Sequence, residues 1–251
     1  MLIINADDLG RNYQATDNTL RCYKEALITS ASAMVFMQDS RRAANLAATA
    51  GLETGLHLNL SEPFDAPFLP GRLQEYHMPI VRYYRSGRWA TLLYNPYLKK
   101  HIDYVFKAQY DEYSRLFDAE PIKLDGHHHM HLSMNIIIDN LIPNGMSVRR
   151  NYSFAPGEKN LFNRTYRRII DAWLVRHFLC SDAFFSIKPF YEPERIKRIV
   201  RLALLNNIEL MTHPEDNTEY NFLLSSKYRQ LIEGIPRGTY RLIASRPKKG
   251  S

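Results

Sequence analysis

Short apolar segments alternate with amphipathic segments along the chain, and this alternation limits the possible folds more than any other feature of the sequence. Strands are predicted at residues 1–5, 30–36, 54–60, 121–124, 146–149, 184–187 and 208–212. Helices are predicted at 12–27, 39–50, 97–117, 134–141, 161–178, 192–206 and 225–233. Strands that alternate with helices indicate an α/β fold with a mainly parallel sheet, and about seven strands in one domain predict an irregular, TIM-like β/α barrel.

The length of the chain fits one such barrel. It has 251 residues, a usual size for this fold, and contains no repeat and no glycine- or serine-rich linker. We therefore predict a single domain over residues 1–251. Residues 62–100 show no clear periodicity and are interpreted as a variable insert. The stretch after residue 233 is basic and predicted to be poorly structured.

The composition excludes several classes of protein. The chain is 45% hydrophobic and 24% charged, as is usual for a globular protein. It has two cysteines, Cys22 and Cys180, which excludes a disulfide framework and a cysteine-rich zinc module. No apolar run approaches the roughly 18 residues of a membrane span, and the first run is too short for a secretory signal. These features predict a cytoplasmic protein.

The net charge of +7 suggests a nucleic-acid partner at first sight. The basic residues are dispersed, however, at 41–42, 149–150, 167–168, 195–201 and 246–249, and no nucleic-acid-binding motif accompanies them. We predict that the protein binds neither nucleic acid nor membrane. A homodimer is expected only because dimers are the commonest oligomers.

Acidic residues and histidines stand at the carboxyl ends of four predicted strands. Asp7 and Asp8 follow the first strand, His57 lies near the end of the third, residues 125–131 (DGHHHMH) follow the fourth, and His213 follows the last. Parallel strands place these ends on one face. Singly, the residues have ordinary explanations: a helix N-cap, a packed histidine, a solvated loop or a turn. Together they favour a metal site or an acid–base site.

Such a set of side chains suits metal-assisted hydrolysis. Two histidines and one carboxylate leave positions open on a divalent metal for water and substrate. A second carboxylate can act as general base, and another histidine can act as general acid. The side chains of Asp7 and Asp8 are expected to point apart in an extended strand, so that one binds the metal while the other faces the substrate.

Four ordered motifs resemble those of the YdjC/ChbG-like carbohydrate deacetylases. Residues 3–10 (IINADDLG) resemble the family's NADDFG opening, and 55–60 (GLHLNL) match its histidine-bearing strand. Residues 124–131 (LDGHHHMH) resemble the LDSHHHxH signature, and 211–214 (MTHP) match the late histidine–proline motif. The segment 28–36 (ITSASAMVF) is similar as well. The order and spacing agree over most of the chain, while 62–121 and 150–205 match only loosely.

The resemblance implies a single catalytic domain that removes the acetyl group from N-acetylated sugars, such as chitooligosaccharides, with one divalent metal ion, Mg²⁺ or Zn²⁺. Its fold is related to that of other polysaccharide deacetylases. By resemblance, the metal ligands are Asp8, His57 and His127, the general base is Asp7 and the general acid is His213. Four further residues are expected to orient a ligand or contact the substrate: Asp125, His129, His131 and Arg149.

Three positions depart from the family pattern, and one alternative function remains open. Gly126 replaces a serine, Leu9 replaces a phenylalanine, and Glu215 replaces a small residue, which bears on substrate identity. Aromatic residues of the insert are expected either to line a sugar site or to pack the insert against the barrel: Tyr83, Tyr84, Trp89, Tyr94 and Tyr97. The alternative is a metal-dependent phosphoesterase on a similar barrel, although such enzymes often use two or three carboxylate-bridged metals. Histidines outnumber acids here, which favours one metal.

Overall fold

One sheet of seven parallel strands organises the chain. The computed structural model describes residues 1–87, 89–153, 161–189 and 192–244. The strands are β1 (Leu2–Leu9), β2 (Ser30–Ala33), β3 (Glu53–Leu58), β4 (Lys123–Gly126), β5 (Ser147–Val148), β6 (Ala183–Ser186) and β7 (Ile208–Thr212). Their order in the sheet is β5-β4-β3-β2-β1-β7-β6. All six pairings are parallel, so the carboxyl ends of the strands lie on one face.

Helices connect the strands and cover the outside of the sheet. They are α1 (Tyr13–Lys24), α2 (Ser40–Ala50), α3 (Gly71–Arg85), α4 (Lys99–Phe117), α5 (Met134–Ile138), α6 (Leu161–His177), α7 (Pro193–Leu202), α8 (Asn217–Leu224), α9 (Ser226–Ile232) and α10 (Tyr240–Ala244). Local sequence explains several of their ends. The Asn12 side chain accepts a hydrogen bond from the Ala15 amide at the start of α1, and Gly51 ends α2 with a φ of 69°.

The sheet curls into an incomplete barrel. Its edge strands, β5 and β6, do not pair with each other among the residues that the structure describes. Past β5, the Ser153 amide donates a 2.8 Å hydrogen bond to the Phe184 carbonyl of β6, which narrows the gap. The predicted α/β architecture, a TIM-like barrel with about seven strands and some irregularity, is confirmed as this open half-barrel.

The two faces of β1 show where the core lies and where the chemistry is placed. Leu2, Ile4 and Ala6 belong to the large apolar core between sheet and helices. The alternate residues point to the inside of the barrel. Ile3 packs there with Tyr240 and Ile243, while residues nearer the carboxyl end are polar. The inside of the barrel is therefore apolar at its base and polar below the open end.

Some predicted boundaries are wrong. β1 extends to Leu9 and β4 to Gly126, so Asp7, Asp8 and Asp125 lie within strands rather than after them. Their carboxylates have buried partners, which lets polar residues stay in the sheet. α3 lies in the insert and α8 follows β7, both unassigned from sequence. The predicted poorly structured tail contains α10, and its residues 245–251 lie outside the described residues. No helix in the described ranges is long and apolar enough to cross a membrane.

Candidate metal centre and catalytic site

A bulge near the end of β1 places two adjacent carboxylates in the site. The pairing of β1 with β2 shifts register between Ala6 and Leu9, and Asp8 has a φ of 66°. Asp7 and Asp8 are both buried, and they meet different partners. The sequence predicted a simply extended strand at this point, and that prediction is wrong. The separate orientation of the two carboxylates comes from the bulge.

Asp8, His57 and His127 form a buried cluster. The Asp8 Oδ1 atom lies 3.2 Å from Nε2 of His57 and 2.9 Å from Nδ1 of His127. Ligand atoms on one metal, with bonds of about 2.0–2.2 Å, lie about 3 Å apart, so this spacing fits a shared ion. The other ring nitrogen, Nε2 of His127, lies 3.3 Å from Glu62 Oε1. One carboxylate and two imidazoles therefore suit a divalent metal.

Asp125 holds the His57 ring from the other side. Its Oδ1 lies 2.7 Å from Nδ1 of His57, and its Oδ2 contacts Lys123 Nζ at 2.8 Å, Ser32 Oγ at 2.7 Å and Arg149 at 2.8 Å. The role expected for Asp125, to orient a histidine ligand, stays a prediction for which this contact supplies the geometry. A carboxylate behind a ligating histidine fixes its tautomer and its direction.

The carboxylates around His57 stabilise the protonated form of its ring. Burial alone would lower the pKa of His57, but the charges of Asp125 and Asp7 outweigh it and raise the pKa to about 10. The pKa of Asp8 lies well below its ordinary value, because hydrogen bonds from His127 and His57 overcome the effect of burial. The surroundings of the cluster therefore stabilise a positive charge.

Asp7 is gripped by Arg149. The two terminal guanidinium nitrogens donate to Oδ2 at 2.6 Å and to Oδ1 at 2.7 Å, and Asn5 Nδ2 donates to Oδ1 at 2.8 Å. Burial alone would raise the pKa of Asp7, but the Arg149 charge lowers it below its ordinary value. Arg149 is itself fully buried, and the structure places its guanidinium among carboxylates.

His213 lies at the open side of the site. Its Nε2 is 4.0 Å from Asp7 Oδ2, its Nδ1 is 3.7 Å from Glu219 Oε1, and about a third of its side chain is exposed. Burial lowers the pKa of His213, but Glu219 and Asp7 more than compensate and raise it above 6.5. The carboxylates of Glu219 and Asp7 thus favour the protonated form of the His213 imidazole.

The other histidines of the cluster have separate contacts. His128 and His129 adopt left-handed backbone conformations, with φ of 51° and 59°, which turn the chain sharply after His127. His129 packs edge-on to the Tyr152 ring at 4.6 Å. Buried His131 pairs through Nε2 with the Arg149 carbonyl at 3.0 Å, and burial lowers its pKa to about 4. His129 and His131 therefore support the loop and strand around the Asp8 cluster.

Two glycines in the motifs are required by close contacts. A Cβ on Gly55 would lie 2.3 Å from Lys123 Cγ and 2.6 Å from the Lys123 carbonyl. A Cβ on Gly126 would lie 2.7 Å from the His131 amide nitrogen. Gly55 thus makes room for a buried lysine inside the barrel. Gly126 allows the histidine loop to pack closely on β4.

A charged bridge crosses the mouth of the site. Arg11 donates to Glu62 at 2.9 Å and to Glu215 at 2.9 Å, and Glu62 Oε1 lies 3.3 Å from Nε2 of His127. Arg11, Glu62 and Glu215 line a cavity of about 370 Å³. Sequence reasoning missed Arg11 and Glu62, although both lie just beyond strand ends. It noted Glu215 only as a departure from the family pattern.

The aromatic residues of the insert divide into two groups. The Tyr84 side chain is buried and its hydroxyl donates to Ser133 at 2.9 Å, and the Tyr94 hydroxyl donates to Asp139. Tyr83 donates to the Leu93 carbonyl. These three pack or tie the insert in place. Trp89 and Tyr97 are 55% and 88% exposed.

Comparison with known proteins identifies relatives along most of the chain. The family model of YdjC-like proteins matches residues 1–234. A chitooligosaccharide deacetylase of Proteus mirabilis is 26% identical over 96% of this chain and 98% of its own length. One from Klebsiella pneumoniae subsp. pneumoniae is 30% identical, but that alignment covers 54% of this chain and about half (52%) of the relative.

A solved structure supports the architecture. A crystal structure from Enterococcus faecalis V583, of a protein proposed to be a cellobiose-phosphate cleavage protein, aligns with a TM-score of 0.65. The alignment covers 96% of this chain and 98% of that protein at 17% identity. At this identity the likeness shows a shared fold and leaves the chemistry to be argued from the site.

Proposed function

The chain belongs to the family of YdjC-like proteins, and on this premise we propose that it is a carbohydrate N-deacetylase. It would hydrolyse the acetamide of an N-acetylated sugar, such as a chitooligosaccharide, and release acetate and an amino sugar. One divalent metal would be held by Asp8, His57 and His127. The relatives named chitooligosaccharide deacetylase support the substrate class.

The observation that carries the proposal is the position of Asp7 between the Asp8 cluster and His213. The Asp7 carboxylate and the His213 imidazole lie 4.0 Å apart, near the carboxyl ends of β1 and β7. Amide hydrolysis needs both a base and an acid, since water must lose a proton and the departing nitrogen must gain one. A metal bound at the cluster would acidify water and polarise the acetyl carbonyl.

Asp7 Oδ2 is the atom best placed to act as the base. Oδ1 already accepts from both Arg149 and Asn5, whereas Oδ2 accepts from Arg149 alone among the described residues and keeps one lone pair. Oδ2 is also the oxygen closest to His213. It takes the proton of the attacking water, and His213 gives its proton to the amine that leaves. Arg149 keeps Asp7 ionised before the reaction.

The metal and its stoichiometry distinguish this proposal from its alternative. Two imidazole nitrogens and one carboxylate suit Zn²⁺, and the resemblance also admits Mg²⁺. One ion per chain is expected. Two or three ions, with phosphate release from phosphomonoesters, would instead support the phosphoesterase. The cytoplasmic location, the homodimer and the absence of a nucleic-acid partner stay predictions.

The test combines metal analysis with acetate release from a panel of N-acetylated mono- and oligosaccharides. The wild type should bind one ion and release acetate. Asp7→Asn should abolish turnover and keep the metal, and His57→Ala should lose the metal. If no sugar of the panel yields acetate, the proposed function is wrong. Normal turnover in Asp7→Asn would refute the base assignment alone.

A further inference from the structure

Buried Glu209 contacts Arg149, the residue that binds Asp7, and two further buried side chains, Lys123 and Tyr240, contact Glu209. Glu209 of β7 accepts from Nε of Arg149 at 2.9 Å and contacts a terminal nitrogen of Arg149 at 2.8 Å. Lys123 Nζ lies 3.2 Å from the same Glu209 oxygen, Oε1. The other oxygen, Oε2, accepts a hydrogen bond from the Tyr240 hydroxyl. The side chains of all four residues are essentially inaccessible to solvent.

This arrangement sets the plane of the Arg149 guanidinium. Its two terminal nitrogens donate hydrogen bonds to Asp7, and its Nε donates a hydrogen bond to Glu209. The guanidinium group is therefore held on two sides. A guanidinium that donates from adjacent edges has little freedom to rotate. The direction of the Asp7 carboxylate therefore depends on Glu209 as well as on Arg149.

We propose that Glu209, Lys123 and Tyr240 are positioning residues that fix Arg149 and, through it, the Asp7 carboxylate. The proposal rests on the proposed function in one respect, the role of Asp7 as base. None of the three positioning residues contacts the Asp8 cluster by way of a metal-binding atom, and none faces the cavity at the mouth. They act on the reaction only through Arg149 and the Asp7 carboxylate.

Charge explains why a neutral donor completes this set. Three buried carboxylates, those of Asp7, Asp125 and Glu209, contact the basic side chains of Arg149 and Lys123, and Asp125 also contacts His57. A buried carboxylate that lacks a donor pulls on any cation within reach. The Tyr240 hydroxyl donates a hydrogen bond to one Glu209 oxygen. The terminal nitrogens of Arg149 therefore stay hydrogen-bonded to Asp7.

The fold anchors Tyr240 independently of the site. α10 packs its Tyr240 and Ile243 against Ile3 at the base of the barrel, and the Tyr240 amide donates to Glu53 at 2.8 Å. The Lys123 ammonium also lies 4.8 Å from the centre of the Tyr240 ring. A segment more than 200 residues away in sequence from Asp7 thus reaches the catalytic layer through the inside of the barrel.

Tyr240→Phe is the main test, because it removes one hydroxyl and keeps the ring. Tyr228→Phe is the matched control, since Tyr228 is also fully buried and its hydroxyl donates to the Leu27 carbonyl, outside the network. For Tyr240→Phe we expect kcat for acetate release to fall about tenfold, with KM and metal content unchanged. Tyr228→Phe should keep the wild-type kcat, even where its stability falls equally.

A spectroscopic readout tests the geometry without turnover. The Nε–H resonance of Arg149 in the metal-free protein, assigned by its loss in Arg149→Lys, should exchange slowly with water in the wild type. Tyr240→Phe should shift it and speed its exchange at least tenfold, while Tyr228→Phe should leave it unchanged. This measurement decides the proposal even if the wild type deacetylates no sugar, in which case only the proposed function fails.

A double variant separates charge balance from simple damage. Lys123→Met should lower kcat because Glu209 and Asp125 then compete with Asp7 for Arg149. Adding Glu209→Gln removes one of the competing carboxylates, so Lys123→Met/Glu209→Gln should recover a large part of the lost kcat. Equal kcat and an unchanged Arg149 resonance in Tyr240→Phe, or no recovery in a folded double variant, would overturn the proposal.

Discussion

The Asp125 carboxylate and the His57 ring form a buried pair, with Oδ1 2.7 Å from Nδ1. When His57 is neutral, this contact keeps the remaining proton on Nδ1 and turns the Nε2 lone pair toward Asp8, 3.2 Å away. Asp125 is itself held by Ser32, Lys123 and Arg149. Asp125 thus sets the orientation of the His57 ring, and the same contact would orient His57 as a metal ligand.

Asp125→Asn should weaken metal binding about 10- to 100-fold, because the amide holds the His57 ring less firmly and makes it a weaker ligand. Isothermal titration with Zn²⁺ measures the change. Asp139→Asn is the control, since Asp139 is also largely buried but pairs with Tyr94 and Lys99 outside the site. Equal affinity in the Asp125→Asn and Asp139→Asn variants would contradict the role given to Asp125.

Metal affinity should rise with pH. The pKa of His57 in the metal-free protein is about 10, so the ring carries a proton at neutral pH that a metal must displace. The apparent affinity should increase about tenfold per pH unit from near pH 6.5 toward pH 10 for each proton released. Titrations at pH 7 in two buffers of different ionisation enthalpy would show that release. Heats that do not depend on the buffer would contradict the prediction.

The same linkage gives the sign of a stability change. Because folding raises the pKa of His57 above its unfolded value of about 6.5, the charged ring stabilises the metal-free protein fully below that pH. This contribution is lost as the pH rises to about 10. Thermal melts of the metal-free wild type should therefore fall more steeply over this window than those of His57→Gln. Parallel curves would count against a charged His57.

Local patterns predicted much of the fold because strands buried on both faces form short apolar runs. Each of the seven predicted strands overlaps an observed one. The end of β1 was placed too early, since Asp7 and Asp8 resemble the polar end of a strand. Their pairing with Arg149 and with two histidines depends on residues over a hundred positions away in most cases, which no local pattern reveals.

The sequence predicted part of the candidate site for a similar reason. His57, His127 and Asp8 stand in motifs at strand ends, and the structure brings them together. Glu209 and Tyr240 carry no such mark. Glu209 sits within an apolar strand, and Tyr240 lies in a segment whose basic composition indicated disorder. Both owe their position to the inside of the barrel, where strand alternation and α10 converge.

His213 should set the alkaline limb of the kcat profile. Burial lowers its pKa, but Glu219 and Asp7 raise it above its ordinary value, so activity should fall as the pH rises through that raised pKa. Glu219→Gln removes a stabilising charge and should move this limb to lower pH. Lys188→Met frees Glu219 from a 3.1 Å ion pair and should move it to higher pH.

His213→Asn removes the proposed general acid. This variant should lower kcat about 10²- to 10³-fold and retain the metal. Stopped acetate-release assays across the pH range provide all three profiles. Alkaline limbs that coincide in the wild type, Glu219→Gln and Lys188→Met would exclude His213 as the acid. A His213→Asn variant that keeps its turnover would exclude it as well.

Gly55→Ala tests the packing that places Lys123 inside the barrel. An added methyl would lie 2.3 Å from Lys123 Cγ and 2.6 Å from its carbonyl oxygen, so β3 and β4 must separate. Overpacking of this kind destabilises a protein by about 1–3 kcal/mol, and the backbone contact favours the upper end. Gly71→Ala, at the start of α3 with open space around its Cβ, is the control and should be neutral. Denaturant titration gives both free energies of unfolding, and equal values for the two variants would show that the space at Gly55 does not require a glycine.

Because β3 also carries His57, Gly55→Ala should lower metal affinity too, whereas Gly71→Ala should not.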